Sequence, residues 1–596
     1  MKKKLAEKIC AALLAGTLAV SMLTGCGAGD TADTGKAPED GQQETEAGKP
    51  DSEGAEESSE AQNAPEAQDV VKLTMFSGPS NTPGLVENSW VSKLLAEEVG
   101  VQIEVMPPGE GKLEALMAGG ELPDIVIFKD NTLLQNAIKA DLLVCLDDYA
   151  DQMPNAQKYM KTAMSFWADT VSPDGKCYNI PNNMGDSAPS QRINVAPSVR
   201  WDLYQQLGKP EVKDMWDLLD VLEQMQALEP ENESGQKVYA VIGWSDWDAD
   251  SMSNATFYTT VYGVDSGDKL VSALPYGEAD LATGELGTIL DPESRYVEGL
   301  KWFFTANQRG LLDPDSMTQT WNTVVEKTTA GRVLFNFWNW STGSYNIPDR
   351  VNADSPTGFM NLIPSESRIP LDMGLKTGKN WTWAIGKGSK NLDKAIAFLD
   401  FMCSPDNAFI LENGPKGELW DLDDAGKPYL TEKGKQVKVD GEILLNDGGK
   451  LSDGNQFHNA NVFNKGVVSE AYGGMISSAD WESYEPIRNK LMDAWTADTG
   501  YEETIDLLMD KGYYVGYPDA LNMIKPLDND MQEIATQIGD IVRTQSWLAV
   551  YAKDEAEFDA IVNQMIADAK TVGLDTLMEY NKAAWQEAVD RAAQYE

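Results

Sequence analysis

Histidine is almost missing from this chain of 596 residues, where His458 stands alone. That excludes histidine-rich metal centres and makes any Ser-His-Asp chemistry depend on one side chain. No G-x-S-x-G elbow, phosphate-binding P-loop or H-E-x-x-H zinc helix occurs. Cysteine is scarce as well, with five in all, two of them (Cys10 and Cys26) close to the N-terminus. Cys145, Cys177 and Cys403 are too few and too scattered for a disulfide framework; at most one pair could form, and three free thiols are the favoured expectation. Basic residues are outnumbered, 48 against 95 acidic, for a net charge of −47. Such a surface repels nucleic acid and anionic lipid headgroups and favours neutral or cationic ligands.

The N-terminus does carry a signal. Lys2, Lys3, Lys4 and Lys8 precede an apolar run from Ile9 to Leu23, and Gly25 precedes Cys26. A charged start, a short apolar core and a small-residue cleavage site define a secretory signal over residues 1–25. The run is too short and too rich in Ala and Gly to make a good membrane span. Leu23-Thr24-Gly25-Cys26 resembles the bacterial lipobox, which implies that Cys26 is lipidated and becomes the first mature residue. An ordinary signal peptide with an incidental cysteine is the alternative. After Cys26, residues 27–69 hold no aromatic, Val, Ile, Leu or Met, and 13 acidic residues against Lys36 and Lys49. Such a stretch has nothing to bury and repels itself, so 26–69 is expected to be a disordered acidic tether. The whole would sit on the outer face of a cell membrane, of Gram-positive type, held there by lipid alone.

From about Val70 the composition is globular. More than 500 residues exceed one small core, so at least two lobes are expected. Gly84 to Gly100 reads as a helix and Val101 to Val105 as an alternating strand. Lys112 to Ala118 is helical, Asp124 to Phe128 a fully buried strand, Asn131 to Ala140 a helix, and Leu142 to Leu146 the next apolar segment. This βαβ rhythm predicts a parallel sheet whose ligand crevice lies beyond the C-terminal strand ends. Phe128 and Asp130 stand at such an end, with core packing and helix entry as their competing roles. Cys403 shares a helical face with Leu392, Ile396 and Leu399 and reads as core. Asp421-Leu-Asp-Asp-Ala-Gly426 superficially suggests a calcium loop, but its fifth position, Ala425, offers no side-chain oxygen, and a turn between strands is the favoured reading.

Six segments in order then point to one family. Gly119-Gly-Glu-Leu-Pro-Asp-Ile-Val126, Asp174-Gly-Lys-Cys-Tyr-Asn-Ile-Pro181 and Val199 to Tyr204 with Met215-Trp-Asp-Leu-Leu219 come first. Gly331-Arg-Val-Leu-Phe-Asn-Phe-Trp-Asn-Trp340, Lys390 to Pro405 and Asn413-Gly-Pro-Lys-Gly-Glu-Leu-Trp420 follow. Together they resemble family 1 extracellular solute-binding proteins, the superfamily of maltose-binding protein and of LipO-type lipoproteins; Asp575 to Asp590 is similar to the terminal helix of that family. The resemblance implies an α/β type II periplasmic-binding-protein fold, two lobes joined by crossing strands with solute in the central cleft. The expected divisions are 70–184 and 376–430 for the first lobe, 185–375 for the second, and 431–596 for a helical extension packed on both. Crossings are expected near Pro181 to Arg192 and Lys376 to Trp383.

Aromatics supply the candidate cleft chemistry, for 17 tryptophans is a high count and several cluster. A pyranose has apolar C–H faces and polar edges, so an indole beneath it and an amide or carboxylate at its rim suit it. Asn336, Trp338 and Trp340 end a strand, and the resemblance places such a pair near the sugar; packing between lobes is the competing role. Trp244, Asp246 and Trp247 follow the strand Val238 to Ile242 and line either the cleft or a packed loop. Trp383 falls in a strand near the hinge, in the cleft or in the core. Trp381 lies beside it, while Trp201 and Trp216 read as structural.

The reading is a monomeric lipoprotein that captures a small solute, a mono- or oligosaccharide, by lobe closure. It would deliver that solute to the permease subunits of an ABC importer, with no cofactor, metal or nucleic acid. Two other classes stay open: a surface glycoside hydrolase using a carboxylate pair, which needs neither histidine nor metal, and an adhesin without transport.

Overall fold

The computed structural model describes residues 70–77, 89–106, 109, 111–129, 131–185, 193, 195–267, 274–371, 376–453, 461–484 and 488–594. The signal segment, Cys26 and the acidic stretch lie outside the described residues.

The strands run β1 Val71–Ser77, β2 Val101–Val105, β3 Ile125–Phe128, β4 Ile180–Asn182, β5 Val195–Arg200, β6 Val264–Asp265, β7 Gly277–Asp280 and β8 Leu286–Thr288. They continue with β9 Phe335–Trp338, β10 Phe359–Asn361, β11 Ile369–Leu371, β12 Lys379–Ile385, β13 Trp420–Leu422, β14 Pro428–Leu430 and β15 Tyr514–Gly516. The first lobe is built on the sheet β2-β1-β3-β12-β4. β1 pairs in parallel with β2 and β3, whereas β12 runs antiparallel to β3 and β4, so the sheet is mixed. The alternation of β2 buries Val101, Ile103 and Val105, while all four residues of β3 are fully buried. Runs of that second kind mark a strand covered on both faces.

One local expectation changes. The first helix begins only at Trp90, where the Ser89 hydroxyl accepts from Ser92 N, and it runs to Glu98; residues 84–88 lie outside the described set. Leu142 to Leu146 forms no strand. Leu143 makes a single bridge to Gly386, and Leu146 already opens a 3-10 turn over Leu146–Gln152.

The second lobe is organised by the antiparallel sheet β10-β5-β9. Its core collects Tyr258, Trp302, Phe303, Phe335 and Phe337. The chain leaves the first core after β4, enters the second at β5, and returns between β11 and β12. The C-terminal third does not behave as one layer. Val437, Leu445, Phe463 and Trp481 join the first core, whereas Leu491, Trp495, Ile538, Val542 and Met565 join the second. The last helix, Leu574–Ala592, straddles both lobes. Leu574 and Leu577 enter the second core, but Trp585 and Ala588 pack with Phe76, Phe128 and Trp167 under the first sheet. Cys177 and Cys403 are buried in the first core, and Cys145, Cys177 and Cys403 all carry free thiols. Among the described residues, no helix is long and apolar enough to cross a membrane.

Candidate functional site

In the register of β5 with β9, Val195 opposes Trp338. Val195 opens β5 just after the chain crosses from the first lobe, and Trp338 closes β9. That pairing puts Trp338 at the end of the second lobe next to the crossing. Two parallel bridges, Tyr239 with Val333 and Val241 with Leu312, align three neighbouring segments. The loops that follow them, beginning at Gly243, Asp313 and Trp338, therefore leave the lobe at the same end.

Those loops gather tryptophan. Trp247 lies on Trp321 with ring centroids 4.9 Å apart and planes at 31°. Trp338 meets Trp247 edge-on at 6.4 Å and Phe257 at 4.8 Å. Trp244 sits beneath, 5.5 Å from Trp247 and 5.1 Å from Trp321, and is only 1% exposed. Trp247, Trp321 and Trp338 are half-buried, so the wall is aromatic with part of its surface open. Trp244 is its floor rather than a contact surface.

Polar groups fix this arrangement. Gly243 N donates to Ser316 Oγ at 3.0 Å, and Gln319 Nε2 donates to Gly243 O at 2.5 Å. A Cβ on Gly243 would come within 3.2 Å of Trp547 and 3.3 Å of Ser316 Cβ, so the close approach of these loops favours glycine there. Lys327, buried, donates to Asp313 at 2.6 Å, Asp315 at 3.1 Å and Gln319 at 2.9 Å. This ammonium holds the loop that presents Trp321. Both Asp246 carboxylate oxygens accept from Trp321 N, at 3.1 and 2.9 Å. Asp246 thus stands at the N-terminus of the helix Trp321–Thr329, where a negative charge is favourable; the sequence alone leaves it between the cleft and a packed loop. Asp248, deeper in the same loop, accepts from Ser253 N at 2.9 Å and from Trp547 Nε1 at 2.5 Å. Burial pushes its carboxyl up to about 6.

Asn336 is 3% exposed and shares a face of β9 with Trp338. Its Oδ1 accepts from Trp338 N at 3.0 Å, while its Nδ2 has no partner. Asn254 donates to Trp244 O at 2.7 Å and leaves its own Oδ1 unmatched; Trp244 Nε1 is unmatched too.

Of the expected site residues, the structure brings together Trp244, Asp246, Trp247, Asn336 and Trp338. Phe128 and Trp383 are fully buried and belong to the cores. β3 and β12 are covered on both faces, so a residue near a strand end there still meets protein: Phe128 lies among Trp167 and Ala384, and Trp383 packs on Phe398. Asp130 and the side chain of Trp340 lie outside the described residues. One wall residue escaped the sequence reading: Trp321 stands alone in sequence and reaches the wall through the Val241–Leu312 pairing. Trp381, named in the sequence only as a neighbour of Trp383, is half-buried at the crossing end of β12, and its backbone N–H donates to Asn182 Oδ1 at 3.2 Å. Among the described residues, no group of three or more His, Cys, Asp or Glu is placed to hold a metal ion. The 421–426 segment is the expected turn between β13 and β14, with Asp423 Oδ1 accepting from Ala425 N and Lys427 N at 2.8 Å each.

The sequence profile of the bacterial extracellular solute-binding proteins matches residues 90–410. The chain is 25% identical over 218 residues to the fructooligosaccharide ABC transporter substrate-binding protein FusA of Streptococcus pneumoniae, 35% of this chain and 38% of that one. The match thus spans well under half of that relative. With lipoprotein LipO of Bacillus subtilis the identity is 23% over 381 residues, 59% of this chain and 68% of LipO. Among solved structures, S. pneumoniae FusA in complex with kestose has a TM-score of 0.60 at 17% identity, covering 88% of this chain and 99% of FusA. The alginate-binding protein AlgQ2 without calcium ion has a TM-score of 0.55 at 17% identity, covering 87% and 98%. At such identities the likeness is one of fold, and it is the two-lobed α/β fold described above. With more than half of its length matched by the profile, the chain belongs to the bacterial extracellular solute-binding proteins.

Proposed function

We propose that this protein captures an oligosaccharide between its two lobes and hands it to the permease of an ABC importer. One observation carries the reading: the half-buried wall of Trp247, Trp321 and Trp338 at the end of the second lobe next to the crossings. Flat indoles offer large apolar area at low conformational cost, and the C–H faces of a sugar ring complement them. Trp381, on the first lobe at the second crossing, is the natural opposing surface when the lobes close. The similarity to FusA, a fructooligosaccharide-binding protein by name, supports the saccharide class. The protein acts by binding and release, not by bond cleavage. Its attachment to the extracellular face of the cell membrane through lipidated Cys26, with 26–69 as tether, is part of the proposal; similarity to lipoprotein LipO supports it.

A thermal-shift screen against mono- to tetrasaccharides tests the reading. A ligand present at about 100 times its dissociation constant adds roughly 2.7 kcal/mol to stability. Stabilisation by a saccharide recovered unchanged is the expected result. Sugar release from a glycoside panel would indicate a hydrolase, and no shift with any saccharide would overturn the assignment.

A further inference from the structure

We propose that the sugar seated on the tryptophan wall is neutral, not a uronate, sialylated or phosphorylated saccharide; this rests on the saccharide reading above.

The argument follows the polar groups around the wall. Every charged side chain on its two polar loops is already engaged within the protein. Asp246 stands at the N-terminus of the helix of Trp321. Asp248 is held by Ser253 and Trp547. Asp250 lies against Gly539 of the helix Asn529–Val550. Asp313 and Asp315 share the ammonium of Lys327. The ammonium of Lys327 is neutralised where it stands, and Arg543, which reaches the same wall at the carbonyl of Ala249, is paired with Asp540. Among the described side chains of these two loops and their supports, the five loop carboxylates and Asp540 therefore stand against two paired cations, so an anionic sugar would meet like charge there, which costs several kcal/mol.

What the wall lacks is neutral. Asn336 Nδ2, an amide donor, is buried without a partner beside Trp338. A buried polar group left unmatched costs about 1–3 kcal/mol, and such groups in folded proteins are rare enough to need a reason. A hydroxyl oxygen of a sugar stacked on Trp338 supplies the missing acceptor. The amide is pre-oriented for it, because Oδ1 is fixed on Trp338 N. An uncharged donor beside an apolar ring face is the chemistry of a neutral carbohydrate.

The test is isothermal titration of the full mature chain with kestose, nystose, maltotriose and mannotriose, set against trigalacturonate and trimannuronate. At least one neutral sugar should bind more than about tenfold tighter than either uronate. Asn336→Asp, which keeps the shape but replaces the amide donor with a carboxylate, should weaken that neutral sugar at least about tenfold while melting within a few degrees of wild type. Equal or tighter binding of a uronate overturns the inference and leaves the saccharide reading intact. Unchanged neutral-sugar affinity in a folded Asn336→Asp variant overturns the role of the amide. Should neither class bind, the saccharide reading itself fails, and this inference with it.

Discussion

Trp547 donates its indole N–H to Asp248 at 2.5 Å, although 299 residues separate the two. Trp547 belongs to the long helix Asn529–Val550, and Asp248 to the loop that carries Trp244 and Trp247. The same helix sends Arg543 to the carbonyl of Ala249 at 3.0 Å, and Tyr551 just beyond it reaches the carbonyls of Asp313 and Pro314 at 3.3 Å. One C-terminal helix thereby fastens both polar loops of the wall. The extension beyond the family's matched region is part of the site's support.

That linkage gives a pH signature. Burial is the main influence on Asp248 and raises it to about 6, opposed by the hydrogen bonds from Trp547 and Ser253 and by the charge of Arg543. A carboxyl raised on folding holds its proton more tightly in the folded chain than in the unfolded one. Its contribution to stability is complete below about pH 4 and is lost as pH rises through about 6. Asp248→Asn removes this titration, so the variant should gain on wild type by up to about 3 kcal/mol between about pH 4 and pH 7. Urea unfolding at stepped pH measures it. A stability difference that does not vary with pH would contradict the assignment.

Floor and wall should separate by mutation. Trp244 is buried among Trp247, Trp321 and Phe257. Trp244→Ala should therefore cost about 3–5 kcal/mol of unfolding free energy. Trp338→Ala, at a half-buried position, should cost clearly less. Equal losses in chemical denaturation would show that Trp338 is core as well.

Lys327 presents a different case. Removing one partner of a buried ion pair leaves the other charge unmatched, which typically costs 3–5 kcal/mol. Lys327→Met should pay that cost through Asp313, which has no solvent exposure. The double variant Lys327→Met with Asp313→Leu should recover part of the loss. A single variant within about 1 kcal/mol of wild type would show that the pair is not needed to hold the loop of Trp321.

The anchor is tested at Cys26. Cys26→Ser should abolish incorporation of labelled palmitate and release the protein from the membrane fraction. Retention of a correctly cleaved, unlabelled variant would count against lipidation.

Much of this was legible in the sequence because it is local. The alternation of Val101, Ile103 and Val105, and the spacing of Phe558, Val562, Met565 and Ala569 ahead of Gly573, are strand and helix signatures whatever lies around them; the latter forms the helix Glu555–Val572. Trp338 and Asn336 were found through a motif. Three positions that the sequence leaves open are decided by tertiary context. Leu142 to Leu146 is apolar enough for a strand, yet only Leu143 finds a ladder partner. Phe128 lies at a strand end, but helices and the final turns of the chain cover it. Asp246 looks like a sugar-binding carboxylate until Trp321, 75 residues on, brings a helix N-terminus to it. No sequence window contains that pairing, and for the same reason Trp321 itself was missed.

The central claim is that a saccharide stacks on the tryptophan wall of the second lobe. Its most direct test is calorimetric titration of wild type and Trp338→Ala with whichever saccharide gives the largest thermal shift. Truncating a buried aromatic anchor costs about 2 kcal/mol or more of binding energy. The account therefore predicts a dissociation constant weakened at least about 30-fold, with the variant's unliganded melt close to wild type. Wild-type affinity in a folded Trp338→Ala protein would contradict it.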